Sequence, residues 1–227
     1  MQGKRELCMF CGKDDSFGPM TREHFVPRAL WDGPRPTYTK TVPAHATCNS
    51  SFSEDNEYFR DVLILQHGAD HHSEVQKLYT GKIQRKQRSR RGSLKNTLKD
   101  FAYRAVNSTG GVYLGHAPTF SVQWSRMERV LLNVMKGIFY TVREKPMPQD
   151  WAIKVAPTTD VALTPMVELI AQMCPWQTFG DDVFMTRYIF LDDDVMYCLM
   201  QFYRIHVFTG RAFSKECEED FRHDDQR

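Results

Sequence analysis

Two pairs of soft ligands stand near the start of this 227-residue chain, Cys8-Met-Phe-Cys11 and His45-Ala-Thr-Cys48, each pair separated by two residues. A C-x-x-C turn presents two thiolates to one ion without strain, and zinc takes four nitrogen or sulfur ligands in a tetrahedron. The spacing predicts one Cys3His zinc site made by Cys8, Cys11, His45 and Cys48, with Gly12 supplying the tight turn of the first knuckle. Four protein ligands leave no open position, so such a zinc would be structural. Between the half-sites runs Thr21-Arg-Glu23-His24-Phe-Val-Pro27. A carboxylate suits a hard divalent cation, and a neutral imidazole suits proton abstraction from water. An ordinary surface pair is the other reading of Glu23 and His24.

The polar–apolar alternation around Glu23 and His24 predicts a short strand ending at Pro27, whose missing N–H stops central pairing. Neighbours on a regular strand face opposite sides, so both serve one site only if the strand bends there or a metal lies at its edge. Beyond Cys48, Ser51 and Glu54 have capping-box spacing, and Phe52, Phe59, Val62 and Leu63 recur at helical spacing. A helix is expected from about residue 50. Asn49 then falls at or just before its first turn, where its carbonyl can cap the helix or ligate a metal. Asn56 and Glu57 are later candidates on the same helix.

Cys8-x-x-Cys11, Glu23-His24-x-x-Pro27 and His45-x-x-Cys48-Asn49 together resemble the HNH endonucleases, over roughly residues 5 to 65. The resemblance implies a ββα finger around one divalent metal, clamped by a structural zinc. It implies His24 as the general base on water, Glu23 as the acidic metal ligand and Asn49 as the helix-borne ligand after the last zinc cysteine. Cys8, Cys11, His45 and Cys48 match the zinc clamp. Glu23 stands where Asp is commoner, His45 where Cys is usual, and Thr41-Val-Pro-Ala lacks the Asn of the middle motif letter. The activity implied is hydrolysis of phosphodiesters in DNA with one Mg2+ or Mn2+, RNA being the other polymer such a finger accepts.

The implied fold is α+β: a small zinc-clamped ββα-metal finger at 1–66, a basic connecting segment at 67–117, and a mixed helix-plus-antiparallel-sheet domain at 118–227. In the last, Thr119–Trp124 reads as a strand, and Met127, Val130, Leu131, Val134, Ile138 and Val142 predict a helix from Arg126 to Lys145, stopped by Pro146 and Pro148. Asp182–Leu191 and Val195–Phe208 read as two strands, rich in aromatic and β-branched residues, flanking an Asp192-Asp193-Asp194 turn. This domain would position substrate, a protein partner or a second copy of the chain.

Net charge is only +2, but from Lys82 to Lys99 there are eight Lys or Arg and no acid. Such a run neutralises phosphates or serves as a solvated linker. Its position after a candidate nuclease favours nucleic-acid contact by Arg85, Lys86, Arg88, Arg90 and Arg91. His67, Asp70, His71 and His72 form a second patch that reads either as a metal site or as a polar loop, with Gly68 against a rigid helix. The acidic stretch from Glu216 to Asp225 reads as a solvated end. No run of about 18 apolar residues exists to span a membrane. Polar residues lead almost directly into Cys8 in place of a secretory signal, and Cys174, Cys198 and Cys217 are scattered, as expected of reduced thiols in a cytoplasmic protein. The alternative to an endonuclease is a zinc-stabilised nucleic-acid-binding or adaptor protein without catalysis, which has no need of a general base beside a carboxylate.

Overall fold

Strand β1 (Met20–His24) pairs antiparallel with β2 (Thr41–His45), in a register that sets Met20 opposite His45 and His24 opposite Thr41. β2 is buried from Val42 to His45, with Val42 and Ala44 on one face of the ribbon. β1 stops at His24, three residues short of the expected Pro27, because Phe25 and Val26 turn into the core. The computed structural model describes residues 6–34, 36, 40–66, 68–83, 97–108, 110–158 and 165–217.

After β2 the chain makes a one-turn helix α1 (Ala46–Ser50) and then α2 (Ser53–Leu65). The expected capping box does not form. The Ser51 hydroxyl donates back to the Cys48 carbonyl at 2.8 Å, and Phe52 occupies the cap of α2 without a side-chain bond. α1 follows His45, contains Cys48 and buries no side chain, whereas α2 is held by Tyr58, Phe59, Val62 and Leu63 in the core.

Past a short helix α3 (Ser73–Leu78) comes a hairpin of β3 (Ala102–Asn107) and β4 (Tyr113–Thr119), which among the described residues pair only with each other. The strand expected over 119–124 is instead the end of β4 and a loop. The Gln123 N–H donates to the Tyr58 hydroxyl at 2.7 Å rather than to a neighbouring strand, and Trp124 already begins a helix. That helix, α4 (Trp124–Arg143), buries the predicted stripe except Val142, which is partly exposed, and ends at Glu144 in the left-handed region.

β5 (Ala152–Pro157), α5 (Pro165–Met173), β6 (Gln177–Phe179), β7 (Phe184–Leu191), β8 (Val195–Phe202) and β9 (His206–Phe213) complete the chain. The five strands form one antiparallel sheet in the order β5-β9-β8-β7-β6. The Asp192–Asp194 turn joins β7 to β8 as expected. The strand expected to run through Phe208 is broken by the three-residue turn Tyr203–Ile205, where Tyr203 and Arg204 take positive φ and the Ile205 N–H donates to the Phe202 carbonyl at 3.0 Å. Neither residue signals such a turn in sequence. Tyr203 is held there by tertiary contact, fully buried with its hydroxyl donating to the Leu30 carbonyl at 2.9 Å.

Residues from the first 66 and from beyond 118 share one hydrophobic core. Phe59 of α2 meets Phe202 of β8 at 5.0 Å between ring centres, and Phe25 meets Phe179 at 5.6 Å. On the sheet side, Gly210 leaves room for the Met135 sulfur of α4 and the Cys198 sulfur of β8, each 2.8 Å from where a Cβ would stand. α4 is the element between the finger and the sheet.

Candidate active site and metal centre

Cys8 and Cys11 sit in a tight knuckle closed by Gly12 N–H donating to the Cys8 carbonyl at 2.8 Å and Cys8 N–H donating to Lys13 at 2.9 Å. Gly12 has φ 71°, which favours glycine, so the turn is the one its sequence position suggested. Met9 N–H donates to the Pro43 carbonyl at 2.9 Å and docks the knuckle on β2. His45 ends β2 and Cys48 lies in α1, so the second half-site is the strand-to-helix corner itself.

These elements bring the four donor atoms of Cys8, Cys11, His45 and Cys48 within 4.8 Å of one another. Cys11 Sγ is 3.3 Å and Cys48 Sγ 4.0 Å from His45 Nδ1, bracketing the roughly 3.6 Å that tetrahedral zinc with ordinary bond lengths requires between sulfur and nitrogen. His45 Nε2 lies 2.8 Å from the Asp14 carbonyl, and with its proton there the Nδ1 lone pair is left for a metal. The cluster can hold a metal ion such as zinc.

Its electrostatics ask for a cation. Burial pushes the Cys48 thiol up to about 11, and the charges of Cys8 and Cys11 add to the shift. Burial also opposes ionisation of Cys8, but N–H groups of Cys11, His45 and Phe10 directed at its sulfur hold it below the ordinary value. Three thiolates around one divalent ion carry a net charge of about −1. Burial holds Lys136 of α4 below the ordinary lysine value, and the nearby Cys11 and Cys8 oppose that shift.

Beside the cluster opens a pocket of about 290 Å3, its mouth included. Glu23 and His24 border it from the end of β1, Asn49 from α1 and Asn56 from α2. Asn133 and Val130 reach it from α4, and Met9, Phe10, Phe25, Pro27 and Phe52 complete its apolar wall. Glu23 and His24 share the pocket although adjacent, because His24 is the last residue of its strand. Both are partly exposed, as are Asn49, Asn56 and Asn133. Phe10 against Phe52, 5.1 Å between ring centres, ties the knuckle to the α1–α2 corner.

Asn133 had no signal in sequence, since it lies about 110 residues beyond His24 inside a helix stripe that reads as core. Asp14 and Lys136 were equally silent, one acting through a carbonyl and the other through a distant helix. Of the His patch, His67 is outside the described residues. His72 is a helix cap, its Nδ1 accepting from Glu74 N–H at 3.2 Å, and its ring stands against Tyr203. Among the described residues only Cys8, Cys11, His45 and Cys48 form a cluster able to hold a metal. Arg85, Lys86, Arg88, Arg90 and Arg91 lie outside the described residues, as does most of the acidic C-terminal stretch. No described helix is long and apolar enough to cross a membrane.

Compared with family models, with curated proteins and with solved structures, the chain has no significant match.

Proposed function

We propose that this protein is a metal-dependent endonuclease of the HNH type that hydrolyses phosphodiester bonds in DNA. The observation that supports it is the convergence of Glu23, His24 and Asn49 on one open pocket directly beside the Cys3His cluster. Asn49 follows Cys48, so a metal that fixes α1 also fixes Asn49. A carboxylate and an amide carbonyl are oxygen donors of the kind Mg2+ and Mn2+ accept, and the pocket is open enough for water to complete the shell. Bound there, such an ion would polarise the scissile phosphate and stabilise the leaving 3′-oxygen.

His24 takes the proton from the attacking water, which must approach opposite the leaving oxygen. Glu23 and Asn49 would supply the oxygens that hold the ion. Asn56 and Asn133 offer amide N–H donors to the non-bridging oxygens. The zinc cluster takes no part beyond holding β2, α1 and the knuckle in register.

The test is cleavage of supercoiled plasmid by zinc-loaded protein and by His24→Ala, each with Mg2+, with Mn2+ and with EDTA. Metal-dependent cutting by the natural sequence is expected, with a loss of about a hundredfold to ten-thousandfold in the variant. A folded, zinc-loaded protein that cuts neither plasmid, single-stranded DNA nor RNA would refute the enzyme and leave the binding or adaptor protein.

A further inference from the structure

Two arginines lie on the side of α4 that leads into the pocket. Arg126 and Val130, and Arg129 and Asn133, are each four residues apart, so the four share one face of the helix, and Val130 and Asn133 border the pocket. From α2, Asp55 stands next to Asn56, another border of the pocket. Its carboxylate accepts from the Nε of both arginines at 2.7 Å, one on each oxygen.

The two guanidinium groups are not equivalent. Arg126 also donates from Nη2 to the Glu54 carbonyl at 2.9 Å, and its guanidinium carbon stands 4.3 Å from the centre of the Tyr58 ring. Its donors are spent on tying α4 to α2. Arg129 is half-exposed, and among the described residues its one partner is Asp55, reached through Nε. Its two Nη groups are therefore held by the Asp55 tie and left to solvent. Burial opposes the charge of Asp55, but bonds from Arg129 and Arg126 hold its carboxyl below the usual value. One carboxylate against two guanidinium groups leaves one positive charge in this triad.

A planar guanidinium fixed at one edge presents its other N–H groups as a fork, and two oxygens of a phosphodiester match that fork. Four residues of helix separate Arg129 from Asn133 by about 6 Å along the axis. A nucleic-acid strand covers that distance in one or two nucleotide steps of about 3.4 Å.

We propose that Arg129 is a substrate-binding residue whose Nη groups hold a phosphodiester one or two nucleotides from the one in the pocket, with Asp55 positioning the guanidinium. The inference rests on the proposed function in taking a nucleic acid as substrate and the pocket as the place of cutting. It adds a second phosphate contact on α4, outside the finger.

Binding is measured with Mg2+ and Mn2+ left out, so that cutting is off, by fluorescence anisotropy of zinc-loaded protein with a labelled DNA duplex over a series of salt concentrations. Arg129→Ala, shown by circular dichroism and melting to be folded, is expected to lose about tenfold in affinity and to reduce the slope of log K against log salt by about one. Arg129→Lys is expected to keep the slope, because the charge remains, and to recover only part of the affinity, because the fork is lost. A role confined to packing α4 on α2 would lower stability and leave the slope unchanged. Once the cut site is mapped on a defined duplex, an uncharged methylphosphonate is placed at each of the two phosphates on either side of it. At one of these positions the natural protein is expected to slow about tenfold and Arg129→Ala no further.

An unchanged salt slope in folded Arg129→Ala, equal slowing of the two proteins at every methylphosphonate position, or absence of binding to DNA each overturns the proposal. A slope that falls in a protein that cuts nothing keeps Arg129 as a phosphate ligand and removes the nuclease. Cutting by a protein whose slope does not depend on Arg129 does the reverse.

Discussion

Alanine is the best helix former and glycine among the worst, so Gly137→Ala in the middle of α4 should stabilise an isolated helix by about 1 kcal/mol. In this protein it is expected to do the opposite. A Cβ at position 137 would stand 2.0 Å from Phe25 Cβ and 2.4 Å from its Cγ, where ordinary contact begins near 3.4 Å. Phe25 is 3% exposed and wedged against Phe179 and Phe184, so it has no open space to move into. α4 and the end of β1 must separate by more than an ångström. Overpacking of this kind costs about 1–3 kcal/mol or somewhat more, and the helix-propensity gain returns about 1. A net loss of about 1–2 kcal/mol corresponds to a fall in Tm of about 2–8 °C for a chain of this size. Urea and thermal denaturation measure it, with Gly137→Ala/Phe25→Gly as the control in which both Phe25 Cβ and Cγ are removed and the second mutation should cost less than it does alone. Phe25 follows His24 directly, so the same shift moves the proposed base, and a displacement of about 1 Å can lower cleavage about a hundredfold. A Gly137→Ala protein as stable as the natural one, or more so, would refute the close approach of α4 to the finger.

His206, buried on β9 with its Nε2 unpartnered, has its pKa lowered to about 4 by burial, a bond to the Leu63 backbone opposing the shift. Its folded value lies below the unfolded one, so its contribution is intact above about pH 6.5 and is lost as pH falls toward 4. The loss at pH 5 is about 2 kcal/mol, and urea titrations at pH 7.5 and 5 should show that difference shrink in His206→Asn. Asp55 of α2 accepts from Arg126 and Arg129 Nε of α4 at 2.7 Å each, so Asp55→Asn is expected to lower stability by about 1–2 kcal/mol. An unchanged urea midpoint would show this tie to be idle. Removal of zinc by a strong chelator should release about one ion per chain. It should also make Cys8, Cys11 and Cys48 reactive to a thiol reagent, and reactivity equal before and after chelation would count against a metal clamp.

What could be read in the sequence was what local spacing determines. The knuckle at Cys8 and Cys11, the corner from His45 to Cys48 and the apolar stripe of α4 each depend on residues one or two turns apart, and each forms as its spacing implies. The readings that changed were those in which a distant residue decides a local choice. Tyr203 and Arg204 take positive φ without glycine because Tyr203 is captured by Leu30, more than 170 residues away in sequence. The Gln123 N–H leaves the strand ladder for Tyr58. Ser51 abandons the capping box because a one-turn helix ahead of it offers the Cys48 carbonyl. At the candidate site, Glu23, His24 and Asn49 were legible as a motif, whereas Asn133 was not, since its only sequence context is a helix that reads as core.

α4 explains why so much of the site escapes local reading. Val130 and Asn133 open onto the pocket, Lys136 stands by the cysteines and Gly137 admits Phe25, positions spaced three or four apart and therefore on one face of the helix. Met135, elsewhere on its circumference, meets the sheet at Gly210. One helix thus carries a polar, close-fitting side toward the finger and an apolar side toward the five-stranded sheet. The finger alone would leave Phe25 and Phe59 without the rings of Phe179, Phe184 and Phe202 that now cover them. A zinc ion can fix the corner at Cys48, but it does not bury those side chains. In this molecule a metal held by the Cys3His cluster would set the local geometry of Asn49, and α4 with the sheet behind it sets where Glu23 and His24 stand against that asparagine.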